Sequence, residues 1–433
     1  MAWRQALGNF IRSGTVISLI GGVTASGSYV MYKDFSRYHR MLEVYSTGNI
    51  LPPLAENQYE ISYFQRDDLE KTLENVLNTK FSNEYYLING EVGTGKTRLI
   101  VELVRKMMVE WGSKKQGAPV YVAVSQGKSF PESLASAVKF FYDEHVSYQF
   151  FLDFVMRINS FPRRDEDSKL TRVLNAIEES SFEYLQRTGR PVILIIDGAN
   201  TLLHQMPGAL EKIQDKAKLW ADTNTVKVVF VNNDEDTEQL LHKNASSWSR
   251  AGTPLIVNDL SDEEATTFLT TPPFLETSHL DSNMTTMSPE QAAKVVELVG
   301  GRMVHLVAFK RDFVLGKSVE ETMEQLKDRE REKFVQVSRN PSTWLVVSAL
   351  RKSSNRRLKL SKAIKETSEK DITALARQNI IRFERDAVGA LIKFQSQLTE
   401  KVVEEMERMY IEDKARRQLL ESQQKALSDS AKP

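Results

Sequence analysis

The sequence predicts an α/β fold: a parallel sheet covered by helices, followed by a helical region and a small β-hairpin. Three observations predict it. Gly90-Glu91-Val92-Gly93-Thr94-Gly95-Lys96-Thr97 is a complete G-x-x-x-x-G-K-[ST] phosphate loop. It stands between the apolar run Tyr85-Tyr86-Leu87-Ile88 and a stretch in which Leu99, Ile100, Leu103, Val104 and Met107 recur at helical spacing. Further on, Val192-Ile193-Leu194-Ile195-Ile196 is an unbroken aliphatic run ending in the carboxylate of Asp197, the pattern of a doubly covered parallel strand.

Each residue type in the loop has a physical task. Glycines let the backbone curl and aim N–H groups at phosphate oxygens, and the helix N-terminus adds positive potential. Gly90 to Arg98 is therefore the expected nucleotide-binding segment. Lys96 would reach the β- and γ-phosphates, and the Thr97 hydroxyl would bind Mg2+. Asp197 is placed to hold the same ion through water, because ligands gather at the carboxyl ends of parallel strands. These residues predict a P-loop NTPase sheet with ATP and Mg2+ as its ligands.

Composition bounds the rest. A chain of 433 residues has room for two or three domains. Basic and acidic residues balance at 58 each, which excludes a surface built throughout for nucleic acid. Cysteine is absent, so disulfides, thiol catalysis and cysteine-bearing zinc sites are excluded. The histidines His39, His145, His204, His242, His279 and His305 show no ligand spacing.

At the N-terminus, residues 13–32 carry no charge and at about 1.5 Å per residue just cross a ~30 Å hydrocarbon core. Gly14, Gly21, Gly22 and Gly27 dilute the stretch, while Ser18, Gly22 and Ser26 fall four apart, which suits close helix packing in lipid. Ahead of it Trp3, Leu7, Phe10 and Ile11 share a helical face whose only charges are Arg4 and Arg12, the composition of a mitochondrial presequence. Lys33, Arg37 and Arg40 follow, which leaves orientation open. The expectation carried forward is an N-terminal membrane-anchor helix in the mitochondrial inner membrane with the phosphate loop facing the matrix. A cleaved presequence, another membrane with a cytosolic domain, and a packed helix are the alternatives.

Between loop and lid, Pro119 to Val124 reads as a second strand, and a long helical stretch with a polar break at Pro162 to Asp167 follows. Val226 to Val231 is a further strand ending in Asn232-Asn233. Asn232 either orients a water at the γ-phosphate or belongs to a turn-forming pair. Arg250 precedes a short strand, Pro254 to Val257. Ser261-Asp262-Glu263-Glu264 is a capping box that opens a helix.

This order of parts resembles the AAA+ superfamily, and within it the archaeal-type and signal-transducing (STAND, NACHT-like) ATPases, over about residues 60 to 400. Tyr63-Phe64-Gln65-Arg66-Asp67-Asp68-Leu69 is similar to the signature those proteins carry before the loop, and Ile195-Ile196-Asp197-Gly198-Ala199-Asn200-Thr201-Leu202 resembles the NACHT form of Walker B. The resemblance implies that Arg250 is an arginine finger or γ-phosphate sensor, acting on a neighbouring subunit. It implies that Arg302, in Gly300-Gly301-Arg302-Met303, contacts phosphate from the lid. The chain departs from the family where Gly198, Asn200 and Thr201 stand in place of acids, since none of them accepts a proton readily near neutral pH. It also carries Met303 where the lid motif has proline. Nucleotide binding with slow hydrolysis is the expectation, carried by Lys96, Asp197 and Asn232.

A polar stretch, Thr270 to Met287, leads to a second box at Ser288-Pro289-Glu290-Gln291 and a third at Ser318-Val319-Glu320-Glu321, which predicts a helical lid. Past Asn340-Pro341, helical spacing at Trp344, Val347 and Leu350, then Leu358 to Ile364 and Ile372 to Ala376, precedes the strands Ile380 to Phe383 and Leu391 to Phe394. Three helices and a hairpin predict a winged helix, and its basic residues Arg351, Lys352, Arg356, Arg357, Lys359, Lys362 and Lys365 allow nucleic-acid contact as a minor alternative. Leu398 to Leu427 reads as a long helix fraying into polar disorder. The expected domains are a targeting or anchor segment (1–45), the NTPase core (46–260), the lid (261–335), the winged helix (336–397) and a charged tail (398–433). The expected function is an ATP-dependent switch or remodelling factor working with a protein partner or as a homo-oligomer. A hydrolysis-incompetent nucleotide scaffold and a DNA loader are the alternatives.

Overall fold

Two runs of branched aliphatics, Val192–Asp197 and Val226–Val231, are buried at every position and form the middle of a five-stranded sheet. The strands are β1 (Tyr86–Gly90), β2 (Val120–Ala123), β3 (Val192–Asp197), β4 (Val226–Val231) and β5 (Leu255–Val257), in the order β2-β3-β4-β1-β5. The pairs β2–β3, β3–β4 and β1–β4 are parallel. The computed structural model describes residues 36–49, 51, 63–81, 83–113, 117–125, 127–142, 165–233, 235–272, 286–386 and 389–430.

Contacts divide the chain into two units. The first holds Gln65–Gly90 and Lys96–Ile256 with the described residues up to 51; the second holds Glu91–Gly95 and Val257 onward, with Phe64. In the first, helices α1 (Asp67–Asn78), α2 (Lys96–Ser113), α3 (Phe130–Ala137), α4 (Glu166–Thr188), α5 (Leu202–Gln205), α6 (Ala209–Thr223), α7 (Glu235–Lys243) and α8 (Ala245–Trp248) accompany the sheet. Leu134 of α3, Leu174 and Ile177 of α4, and Ile213 and Trp220 of α6 join Leu194, Ile196, Val228 and Phe230 of the sheet in one buried cluster.

The second unit opens with α9 (Asp262–Thr270), α10 (Pro289–Val299), α11 (Met303–Val314) and α12 (Val319–Ser338). Of the three boxes read from the sequence, those at Ser261–Glu264 and Ser288–Gln291 close reciprocally, while at the third Ser318 accepts from the Glu321 amide. Each cap satisfies amides that the first helical turn leaves without partners. There follow α13 (Pro341–Lys352), β6 (Arg357–Lys359), α14 (Leu360–Glu366), α15 (Glu369–Arg377), β7 (Ile381–Asp386) and β8 (Gly389–Phe394), with the strands ordered β6-β8-β7. The expected hairpin thus has a third strand, at Arg357–Lys359, where the sequence reads as helix. The tail is α16 (Gln397–Ser430), helical to Ser430 rather than fraying before it. Its Leu398 and Val402 pack with the α9–α12 cluster, and Val403 packs with the cluster of the three-stranded sheet.

The stretch 13–32, the presequence-like start and the Pro52-Pro53 loop lie outside the described residues, as do most of Thr270 to Met287 and the break before Asp165. Among the described residues no helix is long and apolar enough to cross a membrane. The longest, α4, α12 and α16, carry charges along their length. The expected location in a mitochondrial inner membrane is corrected accordingly and is not carried further.

Candidate functional site

Parallel pairing brings three chain segments level. Ile88 of β1 and Asp197 of β3 both stand opposite Val231 of β4, so the residues after these positions emerge side by side. Asn232 N donates to Ile88 O at 2.9 Å, Gly198 N to Val231 O at 3.1 Å, and Val124 N to Asp197 O at 2.8 Å. The end of β4, with Asn232, therefore lies between the loop strand and the strand that carries Asp197. Crevices at such strand ends are where ligands bind in open α/β sheets.

The loop makes the turn between β1 and α2. Gly93 and Gly95 have φ of +88° and +94°, a region that residues with a Cβ adopt only with strain. The Thr94 hydroxyl donates to Glu91 O at 3.0 Å and tightens the turn. Lys96 is buried and its ammonium donates to Gly90 O at 2.8 Å. Thr97 is exposed. Arg98, also in the expected binding segment, pairs with Glu102 one helical turn on, at 2.9 Å.

Asp197 and Asn232 are both buried. Asp197 Oδ2 accepts a hydrogen bond from the Tyr121 hydroxyl at 2.7 Å. Burial and the adjacent Asp197 charge push the Tyr121 phenol above its ordinary pKa. Asn232 donates through Nδ2 to Asn89 Oδ1 at 3.2 Å, while its own buried Oδ1 finds no hydrogen-bond partner among the described residues. A buried acceptor without a donor is costly unless a ligand or water supplies one. The residue after Asp197 in the chain is Gly198, with φ of +80°, so the strand end carries a single acid in sequence.

Arg302 ion-pairs with Asp259, Nε to Oδ1 at 2.8 Å, donates to Val92 O at 2.9 Å, and bonds Glu91. Its guanidinium meets two loop residues, and carboxylates hold it there. Glu91 also pairs with Arg382 of β7 and faces Lys393 of β8 at 4.0 Å. Burial lowers the Arg382 pKa to about 10 and lowers that of Lys393 as well.

Arg250 stands elsewhere. Its carbonyl accepts from Tyr85 N at 2.9 Å, which fixes it at the amino end of β1, and its side chain pairs with Asp222. The loop leaves the other end of that five-residue strand, roughly 17 Å away at the usual rise per residue. Arg250 therefore stands at the opposite end of β1 from the phosphate loop of its own chain.

The donor set fits a magnesium nucleotide. Among the described residues no three His, Asp or Glu side chains gather into a metal cage. One hydroxyl (Thr97) and one carboxylate (Asp197) suit Mg2+, which keeps water and phosphate oxygens for its remaining positions.

A Walker-type ATPase of Pyrococcus abyssi superimposes with a TM-score of 0.50 at 14% identity, over 79% of this chain and 96% of that one. The fold is that of a Walker-type ATPase. The ORC2 protein of Aeropyrum pernix matches with a TM-score of 0.43 at 12% identity, over 85% and 98% of the two chains. Cdc6p of Pyrobaculum aerophilum gives 0.37 at 13%, over 82% and 99%. No protein-family model and no curated protein matches this chain.

Reading the sequence alone misses Tyr121, Asn89, Asp259, Arg382 and Lys393. Asn89 left a signal: it is a lone amide between an apolar strand and the loop's first glycine. The others are polar residues whose partners lie far along the chain, and nothing local marks them.

Proposed function

We propose that this chain is an AAA+ P-loop protein that binds ATP with Mg2+ and serves as a nucleotide-dependent switch. The observation that carries the reading is the Lys96 ammonium held at 2.8 Å from Gly90 O inside a positive-φ glycine turn, at the strand end next to Asn232 and Asp197. Loop amides and Lys96 grip the β- and γ-phosphates. Thr97 and Asp197 hold the metal, and bound Mg2+ supplies neutralisation of phosphate charge. Asn232 Oδ1 accepts a hydrogen from a water beside the γ-phosphate.

Turnover is slow in this reading. Gly198, Asn200 and Thr201 offer no base to take a proton from that water, which favours the scaffold alternative to the extent that hydrolysis fails altogether. A switch needs only that triphosphate and diphosphate states bind the protein's conformations unequally. The finer assignment, to the archaeal-type and signal-transducing branch, rests on the helix–strand–helix–helix–strand–strand order over 341–394, which we read as a winged helix. We read the arginines of its basic patch as structural rather than as a DNA surface. Arg351 pairs with Glu404 and Glu407, Arg356 with Glu400, and Arg357 with Glu384. The output is then a protein partner or a second copy of the chain, on which the half-exposed Arg250 is available to act in trans.

The test is calorimetric titration of ATP, ADP and GTP with Mg2+, beside a phosphate-release assay. Binding that disappears in Lys96→Ala supports the proposal, and absence of heat with every nucleotide removes it.

A further inference from the structure

Asp197 stands alone at the end of β3, with glycine beside it, so only one carboxylate from this strand is available to a metal. Its orientation then matters more than it would in a pair of acids. The side chain that hydrogen-bonds it is Tyr121. In the β2–β3 register Tyr121 faces Ile195 and Ala123 faces Asp197, which makes Tyr121 and Asp197 diagonal neighbours on one face of the sheet. Diagonal positions lie about 7–8 Å apart, beyond a short side chain and within reach of an aromatic one. The tyrosine hydroxyl bridges the gap and donates to Oδ2 at 2.7 Å.

Tyr121 is itself fixed. Its backbone N–H donates to Asn49 Oδ1 at 2.8 Å, and Asn49 Nδ2 donates back to Tyr121 O at 2.7 Å. This reciprocal pair occupies both main-chain polar groups of Tyr121 on the outer edge of the sheet, where β2 is the last strand. Phenol and carboxylate are both buried, so solvent does not compete for the bond. A buried tyrosine needs some partner for its hydroxyl, and a purely structural role would be met by any acceptor. Here the acceptor is the residue placed to hold Mg2+.

We propose that Tyr121 is a positioning residue for the magnesium of a bound nucleotide. Its hydrogen bond commits Oδ2 of Asp197 and leaves Oδ1 to the metal's water, in the way outer partners orient metal ligands generally. This rests on the nucleotide-binding reading above.

The test compares the full-length chain with Tyr121→Phe, Asp197→Asn and the double variant. Each is titrated with a non-hydrolysable ATP analogue across a range of free Mg2+ and again in EDTA, and thermal midpoints are recorded. Tyr121→Phe should require roughly tenfold more Mg2+ for half-maximal enhancement of affinity, the loss typical of outer-partner changes. Affinity in EDTA should be unchanged, and the double variant should match Asp197→Asn. A Mg2+ curve that overlays the wild type, an equal loss with and without Mg2+, or shifts that multiply in the double variant would each overturn the inference. Wild-type protein that takes no analogue at all removes the parent reading and this one together. Wild-type binding with an unmoved Tyr121→Phe curve removes this one alone.

Discussion

The ammonium of Lys96 lies 2.8 Å from the carbonyl oxygen of Gly90, turned back onto the first residue of its own loop. A buried cation so placed is held ready for an anion that offers more than one carbonyl dipole. Lys96→Ala removes it and with it a charge-assisted contact worth about 1.5–3 kcal/mol. Affinity for ATP–Mg2+ measured by calorimetry should fall by roughly 10- to 100-fold. The thermal midpoint in the absence of nucleotide should move little by comparison.

Gly301 packs without room for a side chain. A Cβ there would come within 1.7 Å of Leu260 O, and Leu260 N donates to Gly301 O at 2.9 Å. Backbone cannot yield as a flexible side chain does, so Gly301→Ala should cost roughly 3 kcal/mol of stability, the upper part of the overpacking range. Urea unfolding followed by circular dichroism would measure it.

Lys227, buried in β4, donates to the carbonyls of Val76 and Thr79 at the end of α1, at 2.6 and 2.7 Å. Burial lowers its pKa from 10.5 to about 8, and does the same to Lys310, which donates to Phe268 O. Because each folded-state pKa lies below the unfolded one, the unfolded chain holds more protons between about pH 8 and 10.5, and stability should rise with pH across that window. Below pH 8 the desolvation penalty is present in full. Denaturation midpoints at pH 8 and pH 10 should therefore differ, and Lys310→Met should reduce the difference.

Trp220 is fully buried within α6 against the sheet. Trp220→Ala should destabilise the first unit by about 3–5 kcal/mol through lost burial and the cavity left behind. A lower urea denaturation midpoint than the wild type is the expected result.

What the sequence disclosed follows from how local each signal is. The loop, the strand before it and the run into Asp197 are legible because glycine spacing and aliphatic composition lie within one segment. Ser261–Glu264 and Ser288–Gln291 are legible for the same reason, as each box spans four residues. β6 was hidden because Arg357–Lys359 is three residues long and becomes a strand only through its partner β8. The position of Arg250 was not legible either: its order in the chain resembles that of a phosphate-contacting arginine, while the parallel bridge between Tyr85 and Ala251 places it at the far strand end from its own loop. The Tyr121–Asp197 bond depends on the register between β2 and β3, and composition does not encode that register.

The most direct measurement is isothermal titration of ATP with Mg2+ into the full chain, run in parallel on Lys96→Ala. Saturable heat in the wild type, lost or weakened at least tenfold in the variant, is the expected result. No heat in the wild type, or equal heat in both, would contradict a phosphate site at Gly90–Thr97.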